Sequence, residues 1–289
     1  MIRAEYLIFE LIVYALFIGC AWHAAHQSGS GRHRVMELGV ALVYGVFLEW
    51  MTLRQLSAYH YGQFLIMIDD APLAIGAGWA VIIYSAMIFS DRLQMPEMAR
   101  PFLDGLLALN IDLAMDAVAI RLGMWTWGTG DLTYQWFGVP WGNFWAWFIV
   151  VTSYSFFVRW LRVWRTDRIR GWLYAPLAMV LSVAVLALTN SLFQSLLHPN
   201  NLGLVGMLVL IGSGLIIVIG VRPRVLQAGR PEPVIIAVPL AFHLYFFGAG
   251  IVFGFFAAQP ILAVISGLML VLGLGLHLWP WWVARRPSA

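Results

Sequence analysis

Nine apolar runs, each close to the length that crosses hydrocarbon, make up most of this chain and leave few alternatives for its fold. They fall at about 5–26, 36–53, 72–90, 102–122, 143–163, 172–195, 202–220, 234–256 and 260–283. A helix needs ~20 residues to span a bilayer core, and the ten-residue alternation of a membrane barrel is missing. Sixty-two per cent of the residues are apolar and 11 per cent charged, too little polar surface for a soluble domain of this size. The expected fold is therefore all-α: a polytopic helical membrane protein, with residues 1–289 forming a single integral membrane domain. The first run has no basic n-region and no small-residue cleavage site, so it reads as a retained helix. Its Cys20 is the chain's one cysteine, which rules out an internal disulfide and suits a packing role.

All 17 cations are arginine, and alternate loops divide them unequally. One side holds Arg32, Arg34, Arg92, Arg100, Arg159, Arg162, Arg165, Arg168, Arg170, Arg222, Arg224, Arg230, Arg285 and Arg286; the other holds Arg3, Arg54 and Arg121. Cytoplasmic loops carry the excess of basic residues, so the N-terminus is expected outside and the C-terminus in the cytoplasm. The run RWLRVWRTDRIR at 159–170 sits at a helix end, where it serves topology and lipid headgroups rather than nucleic acid.

Within this greasy background, Asp112 and Asp116 stand four residues apart in the fourth run. Ionisable side chains in a membrane span are costly and mark substrate, ion or proton sites, and residues i and i+4 share a helix face. At 1.5 Å per residue, Asp112 lies ~15 Å and Asp116 ~21 Å along the fourth helix, while Glu49 lies ~20 Å along the second. Glu49 and Asp116 thus share a level in the outer half of the core. Two longer outward segments lie above them. Residues 54–71 carry Tyr59, His60, Tyr61, Asp69 and Asp70; residues 123–142 carry Trp125, Trp127, Trp136 and Trp141. The aromatic rings form either an interfacial belt or a lid over a polar cavity. Asp70, followed by Ala71 and Pro72, also has the pattern of a helix N-cap. Asn190 and Gln194 close the outward end of helix six, either facing the cavity or bonding a neighbouring helix. His243 and His277 stand alone on apolar helices and read as packing residues. His23 and His26 approach a metal-ligand spacing, yet no histidine cluster of the membrane di-iron type is present, so no metal is expected. Residues 200–289 read mainly as scaffold, with glycines that permit close helix packing.

The runs FLEWMTLRQLSAYHYGQF, APLAIGAGWAVIIYSAM, NIDLAMDAVAIRLGMWTWG and WFGVPWGNFWAW, within about residues 37–150, resemble the carotenoid biosynthesis protein family. That family includes bisanhydrobacterioruberin hydratase and the γ-carotene 1′-hydroxylases. Where its members often have Asp-Pro at the helix-four acid, Asp116 here precedes Ala117. The resemblance implies a cofactor-independent hydratase of a bacterial or archaeal cytoplasmic membrane. It would add water across the terminal double bond of an acyclic (ψ) carotenoid end. Protonating an unactivated alkene needs a carboxylic acid, and hydrocarbon and a neighbouring carboxylate both favour the neutral form of a carboxyl. Asp116, Asp112 and Glu49 are the candidate catalytic groups, with Asp116 first choice for the acid because it lies nearest the aromatic loop. Tyr61, Trp125 and Trp127 offer π faces to a tertiary carbocation. Tyr59, Asp69, Asp70, Trp79, Asn143 and Asn190 complete the candidate substrate contacts. The expected partners are a carotenoid or other long isoprenoid and the lipid bilayer, with no nucleic acid.

Two other readings use the same residues. A UbiA-like prenyltransferase shares the helix number, and Asn110-x-Asp112-xxx-Asp116 resembles part of its first motif. Such enzymes need a second motif to hold magnesium and diphosphate, and Asp69-Asp70 has the wrong spacing. A proton-coupled transporter, or a membrane protein that binds carotenoid without chemistry, would use the acids as a relay. Paired halves with matching broken helices are not visible.

Overall fold

The computed structural model describes residues 2–55, 59–128, 135–199, 201–225 and 232–284. Arg230, Arg285 and Arg286 of the arginine-rich set, and residues 129–134 of the second aromatic segment, lie outside them. The described chain forms α1 (Ala4–Ala25), α2 (Gly31–Gln55), α3 (Leu73–Asp91), α4 (Arg100–Leu122), α5 (Trp141–Arg162) and α6 (Arg168–Leu192). A π turn at Phe193–Leu197 follows, then α7 (Gly203–Gly220), α8 (Pro233–Val252), α9 (Phe255–Ala258) and α10 (Pro260–Ala284). The protein is an all-α polytopic membrane protein. Among the described residues, eight helices are long and apolar enough to cross a bilayer. The exception among the nine long helices is α4.

The reason is physical. Asp104, Asp112 and Asp116 make α4 too polar to face lipid, so it takes the centre: α3, α5, α7, α8 and α10 all pack on it. Seventeen of its 23 residues are buried. Helices α6, α7 and α10 instead turn large apolar side chains outward, among them Val180, Ile216, Ile219, Val264 and Val271. Those are the surfaces suited to lipid.

The helix ends follow local chemistry. Pro101 and Pro233 start α4 and α8 in the first turn, where no amide donor is needed. The Asp167 carboxylate accepts the Arg170 amide at 2.9 Å and caps α6. Boundaries differ from the sequence reading by up to five residues, and two of the shifts matter most. Helix α2 begins at Gly31, so Arg32 and Arg34 ride on its first turn. The eighth helix stops at Val252, because Gly254 takes a left-handed conformation (φ +72°) and turns the chain into α9. Asp70 is not the cap of α3, which starts behind Pro72 with no side-chain cap.

Short two-residue ribbons tie the loops at each end. β1 (His60–Tyr61) pairs with β5 (Trp125–Thr126) at the arginine-poor end, where β2 (Met67–Ile68) also turns back on β3 (Ala71–Pro72). β4 (Leu93–Gln94) pairs with β6 (Arg224–Val225) at the arginine-rich end. There a buried ion cluster locks the helices together. Arg162 grips Glu37 through Nε at 2.9 Å and Nη2 at 2.8 Å, and the Tyr174 hydroxyl donates to Glu37 at 2.6 Å. Arg34, Arg100 and Arg159 converge on Asp91. Arg159 also reaches Asp104, at 3.1 Å, and Ser155 donates to the same carboxylate at 2.5 Å. Removing one partner of a buried pair strands the other charge. Arg159→Met is therefore expected to destabilise the protein by about 3–5 kcal/mol, read as a lower midpoint of thermal unfolding in detergent. An unchanged midpoint would show that this cluster does not hold the end of the bundle.

Candidate functional site

At the opposite end, four central helices each contribute a polar side chain at one level. α2 supplies Glu49, α3 Trp79, α4 Asp112 and Asp116, and α5 Asn143. Gly123 ends α4 in a left-handed conformation (φ +75°), and the chain returns as β5 beside β1. The register sets Tyr61 opposite Trp125 and His60 opposite Thr126. That pairing carries Tyr59, Tyr61, Trp125 and Trp127 over the acids. Tyr59 stacks on Trp127 with ring centroids 4.6 Å apart, and Tyr61 meets Trp125 edge-on at 6.0 Å. On the far side α5 begins at Trp141 behind Pro140, which places Asn143 in its first turn, facing α4.

The hydrogen bonds divide the acids into two groups. The Asn143 amide nitrogen stands 2.6 Å from Asp116 Oδ2 and 3.2 Å from Asp112 Oδ2, so one donor serves both carboxyls. Asp112 Oδ1 is buried with no hydrogen-bond partner among the described residues. Glu49 is held differently. Its Oε1 accepts from Trp79 Nε1 at 2.8 Å, and its Oε2 accepts from the Tyr61 hydroxyl at 2.7 Å and the Tyr59 hydroxyl at 3.5 Å. Tyr59 also donates to the Tyr61 hydroxyl at 2.7 Å. Trp79 is fixed in turn by Trp147, whose ring lies 4.0 Å away between centroids.

A cavity of about 1240 Å³ opens among these groups. Glu49, Asp116, Asn143, Tyr59, Tyr61, Trp79, Trp125, Trp127 and Asn190 line it, together with Trp141, Trp147 and Gln194. Asp112 does not reach the wall and stands behind Asp116. Asp69 and Asp70 are not in this group. They form the exposed tip of the β2–β3 hairpin, where Asp69 accepts from Trp50 Nε1 at 3.2 Å and pairs with Arg54. Both side chains of this turn are exposed, with Asp69 against the end of α2 rather than in the cavity, a placement that spacing along the chain could not show. Trp147 is not among the residues the sequence singles out, although its i, i+4 spacing to Asn143 puts it on the same face of α5.

Burial of an acid does not by itself mark this site. Glu10, Glu37 and Asp104 are buried as well. Glu37 and Asp104 are neutralised by arginine, and Glu10 accepts the Leu65 amide at 2.8 Å to pin the loop after β1. Among the described residues, Glu49, Asp112 and Asp116 ion-pair with no arginine or histidine. His243 is not isolated: its Nε2 stands 3.0 Å from Asn110 Oδ1, on a different face of α4. His23 bonds the Tyr84 hydroxyl at 2.8 Å and meets Glu232 at 2.7 Å. Among the described residues no three His, Cys, Asp or Glu side chains gather to hold a metal ion.

Burial, and next the carboxylate of Glu49, push the hydroxyls of both Tyr59 and Tyr61 well above the ordinary tyrosine range; Asp116 adds to the effect on Tyr59. Both rings therefore stay neutral donors in the folded protein. The unfolded chain releases these protons near pH 10, so the folded state loses stability as pH rises above that value. The expected loss is up to about 1.4 kcal/mol per pH unit for each tyrosine. Unfolding midpoints measured in detergent between pH 9 and 11 should fall less steeply for Tyr59→Phe/Tyr61→Phe than for the wild type. Parallel slopes would contradict the burial of these hydroxyls.

A family model described as carotenoid biosynthesis protein matches residues 6–210, more than two-thirds of the chain. No curated protein and no solved structure matches. The family match extends beyond the 37–150 segment that carries the sequence resemblance, and takes in nearly all of α1, the whole of α6 and the first part of α7. The chain belongs to the carotenoid biosynthesis protein family, and its work is on a carotenoid or related isoprenoid in the membrane.

Proposed function

We propose that this protein hydrates the terminal C1=C2 double bond of an acyclic (ψ) carotenoid end, giving a tertiary alcohol. The observation that carries the reading is the carboxyl pair on α4. Asp112 and Asp116 share a single amide donor, have no cation, and present one member to an aromatic-walled cavity. Like charges so close in a low-dielectric site do not both ionise readily, so such a pair retains a proton it can deliver. Asp116 is the member on the wall and is assigned as the acid, with Asp112 as the partner that shares its charge.

The reaction then runs in two steps. The Asp116 proton passes to C2, and the alkene π pair forms the new C–H bond, leaving a tertiary cation at C1. Water attacks C1 and gives up one proton to a carboxylate, and passage of that proton back to Asp116 restores the starting state. Glu49 is assigned as that acceptor, since donors from Trp79, Tyr61 and Tyr59 fix its oxygens at the cavity wall. The rings of Trp79, Trp125 and Trp127 offer π faces to the cation. Gln194, His198 and Asn201, exposed where the cavity meets the surface, give water a polar approach. We assign this arginine-poor end to the outer face of the membrane, on the arginine distribution.

The test is conversion in cells that accumulate lycopene. Wild-type protein is expected to yield a product heavier by one water, with its oxygen drawn from labelled water rather than from dioxygen. Asp116→Asn keeps the shape but has no carboxyl proton, and is expected to lower conversion by about 10²- to 10⁴-fold. Glu49→Gln should impair conversion more than accumulation of the protein. An Asp116→Asn variant that folds and hydrates at the wild-type rate removes the basis for this assignment.

A further inference from the structure

The cavity is lined from two flanks of the bundle. On one flank are α1 and α8, which pack against each other and against α3; on the other are α6 and α7, which pack against α5. The cavity therefore runs across the bundle, between α2, α3, α4 and α5, with Glu49 and Asp116 near its middle. Its two flanks differ. Towards α6 and α7 its lining residues Ala187, Ser191, Gln194, His198, Asn201 and Leu204 are exposed. Towards α1 and α8 it ends on Phe9, Ile82 and Phe242, which are 2 %, 2 % and 3 % exposed. One end is open and partly polar; the other is closed and wholly apolar.

Gly78 lies at the closed end, on α3, beside Trp79. A Cβ added there would meet only Phe242 Cζ, at 3.7 Å, among the described residues. Close helix packing therefore does not demand this glycine. A glycine inside a helix is less stable than alanine, and what its missing side chain leaves behind is cavity. Phe9 and Phe242 meet edge-on at 6.0 Å and form the floor of that space.

We propose that this closed apolar chamber seats the branched terminus of the isoprenoid substrate, the carbon bearing two methyl groups, and that Gly78 sets its depth. The inference rests on the hydration reading and adds where the chain lies. With the two methyl groups against Phe9 and Phe242, the terminal double bond stops beside Asp116 and Glu49. The remaining polyene leaves past Leu186 and Leu204 to the lipid. A methyl-branched acyclic end suits a closed, wholly apolar chamber of this kind.

The experiment is a size series at position 78 in cells accumulating lycopene, with protein amount checked by immunoblot and by gel filtration in detergent. Conversion is expected to fall in the order Gly78→Ala, Gly78→Val, Gly78→Leu, reaching roughly 10²-fold for leucine at equal protein. Gly78→Leu/Phe242→Ala, which reopens space opposite the new side chain, should recover most of that loss. If Gly78→Leu does not accumulate, Ile82→Phe fills the same end from the next turn of α3 and is read in the same way. Wild-type conversion with undiminished Gly78→Leu or Ile82→Phe conversion overturns the chamber assignment alone. Lycopene left unchanged by the wild type overturns the hydration reading, and this inference with it.

Discussion

Three carboxyl groups gathered at one end of a helical bundle, with only neutral donors around them, are the constraint on which this structure turns. In a medium of low dielectric, an unpaired charge costs several kcal/mol even after relaxation, so such groups survive only where something else requires them. The molecule itself provides the comparison. At the arginine-rich end Glu37, Asp91 and Asp104 are each met by guanidinium groups, and their charges are settled. At the arginine-poor end Glu49 is met by an indole and two phenols, and Asp112 and Asp116 by one amide. The first arrangement fixes charge in place. The second leaves the carboxyls without a fixed counter-charge, the arrangement that the proposed proton transfer to carbon would use.

The same acids explain the architecture. A helix carrying Asp104, Asp112 and Asp116 cannot lie against lipid, so α4 goes to the centre and the more apolar helices surround it. Its two ends are then bound to different chemistry. The Asp104 turn reaches α5 through Arg159 and Ser155, and the Asp116 turn reaches α5 through Asn143. One helix pair thus holds both the ion lock and the candidate site. Changes in how α4 and α5 pack would be felt at both.

Much of this was legible in the sequence because hydropathy and arginine spacing act along one dimension. Nine runs, their order and the shared level of Glu49 and Asp116 follow from counting residues at a fixed rise. What counting cannot supply is the direction in which a side chain points around its helix, or the partner it finds far away in sequence. Asp104 and Arg159 are 55 residues apart, and neither looked different from a topogenic or site residue until they met. Asp69 and Asp70 showed the converse failure. Their position between helices suggested the cavity, but a tight hairpin turned them out to solvent. His243 read as solitary because its partner, Asn110, lies 133 residues earlier. The i, i+4 rule succeeded for Asp112 and Asp116 because both lie on one helix, where azimuth is fixed by spacing alone.

Hydration of an alkene brings two incompatible reactants to one point, a hydrocarbon that belongs in lipid and a water molecule that does not. Both would reach the site from the open flank, the polyene past Leu186 and Leu204 and water along Gln194 and His198, so the proposed reaction needs the floor of the pocket kept dry. The bundle does this by helix pairing. Phe9, Ile82 and Phe242, drawn from α1, α3 and α8, close one flank with side chains that offer water no hydrogen bond. Asn190, Gln194 and His198, around the π turn after α6, open the other with groups that do. Between them stand Asp116 and Glu49 on α4 and α2, at the boundary of dry and wet. In the proposed reaction a proton delivered there would meet carbon on the closed side, and water would arrive from the open one. In this reading the placement of the acids at that boundary, more than their number, is what suits the site to adding water rather than merely holding a lipid.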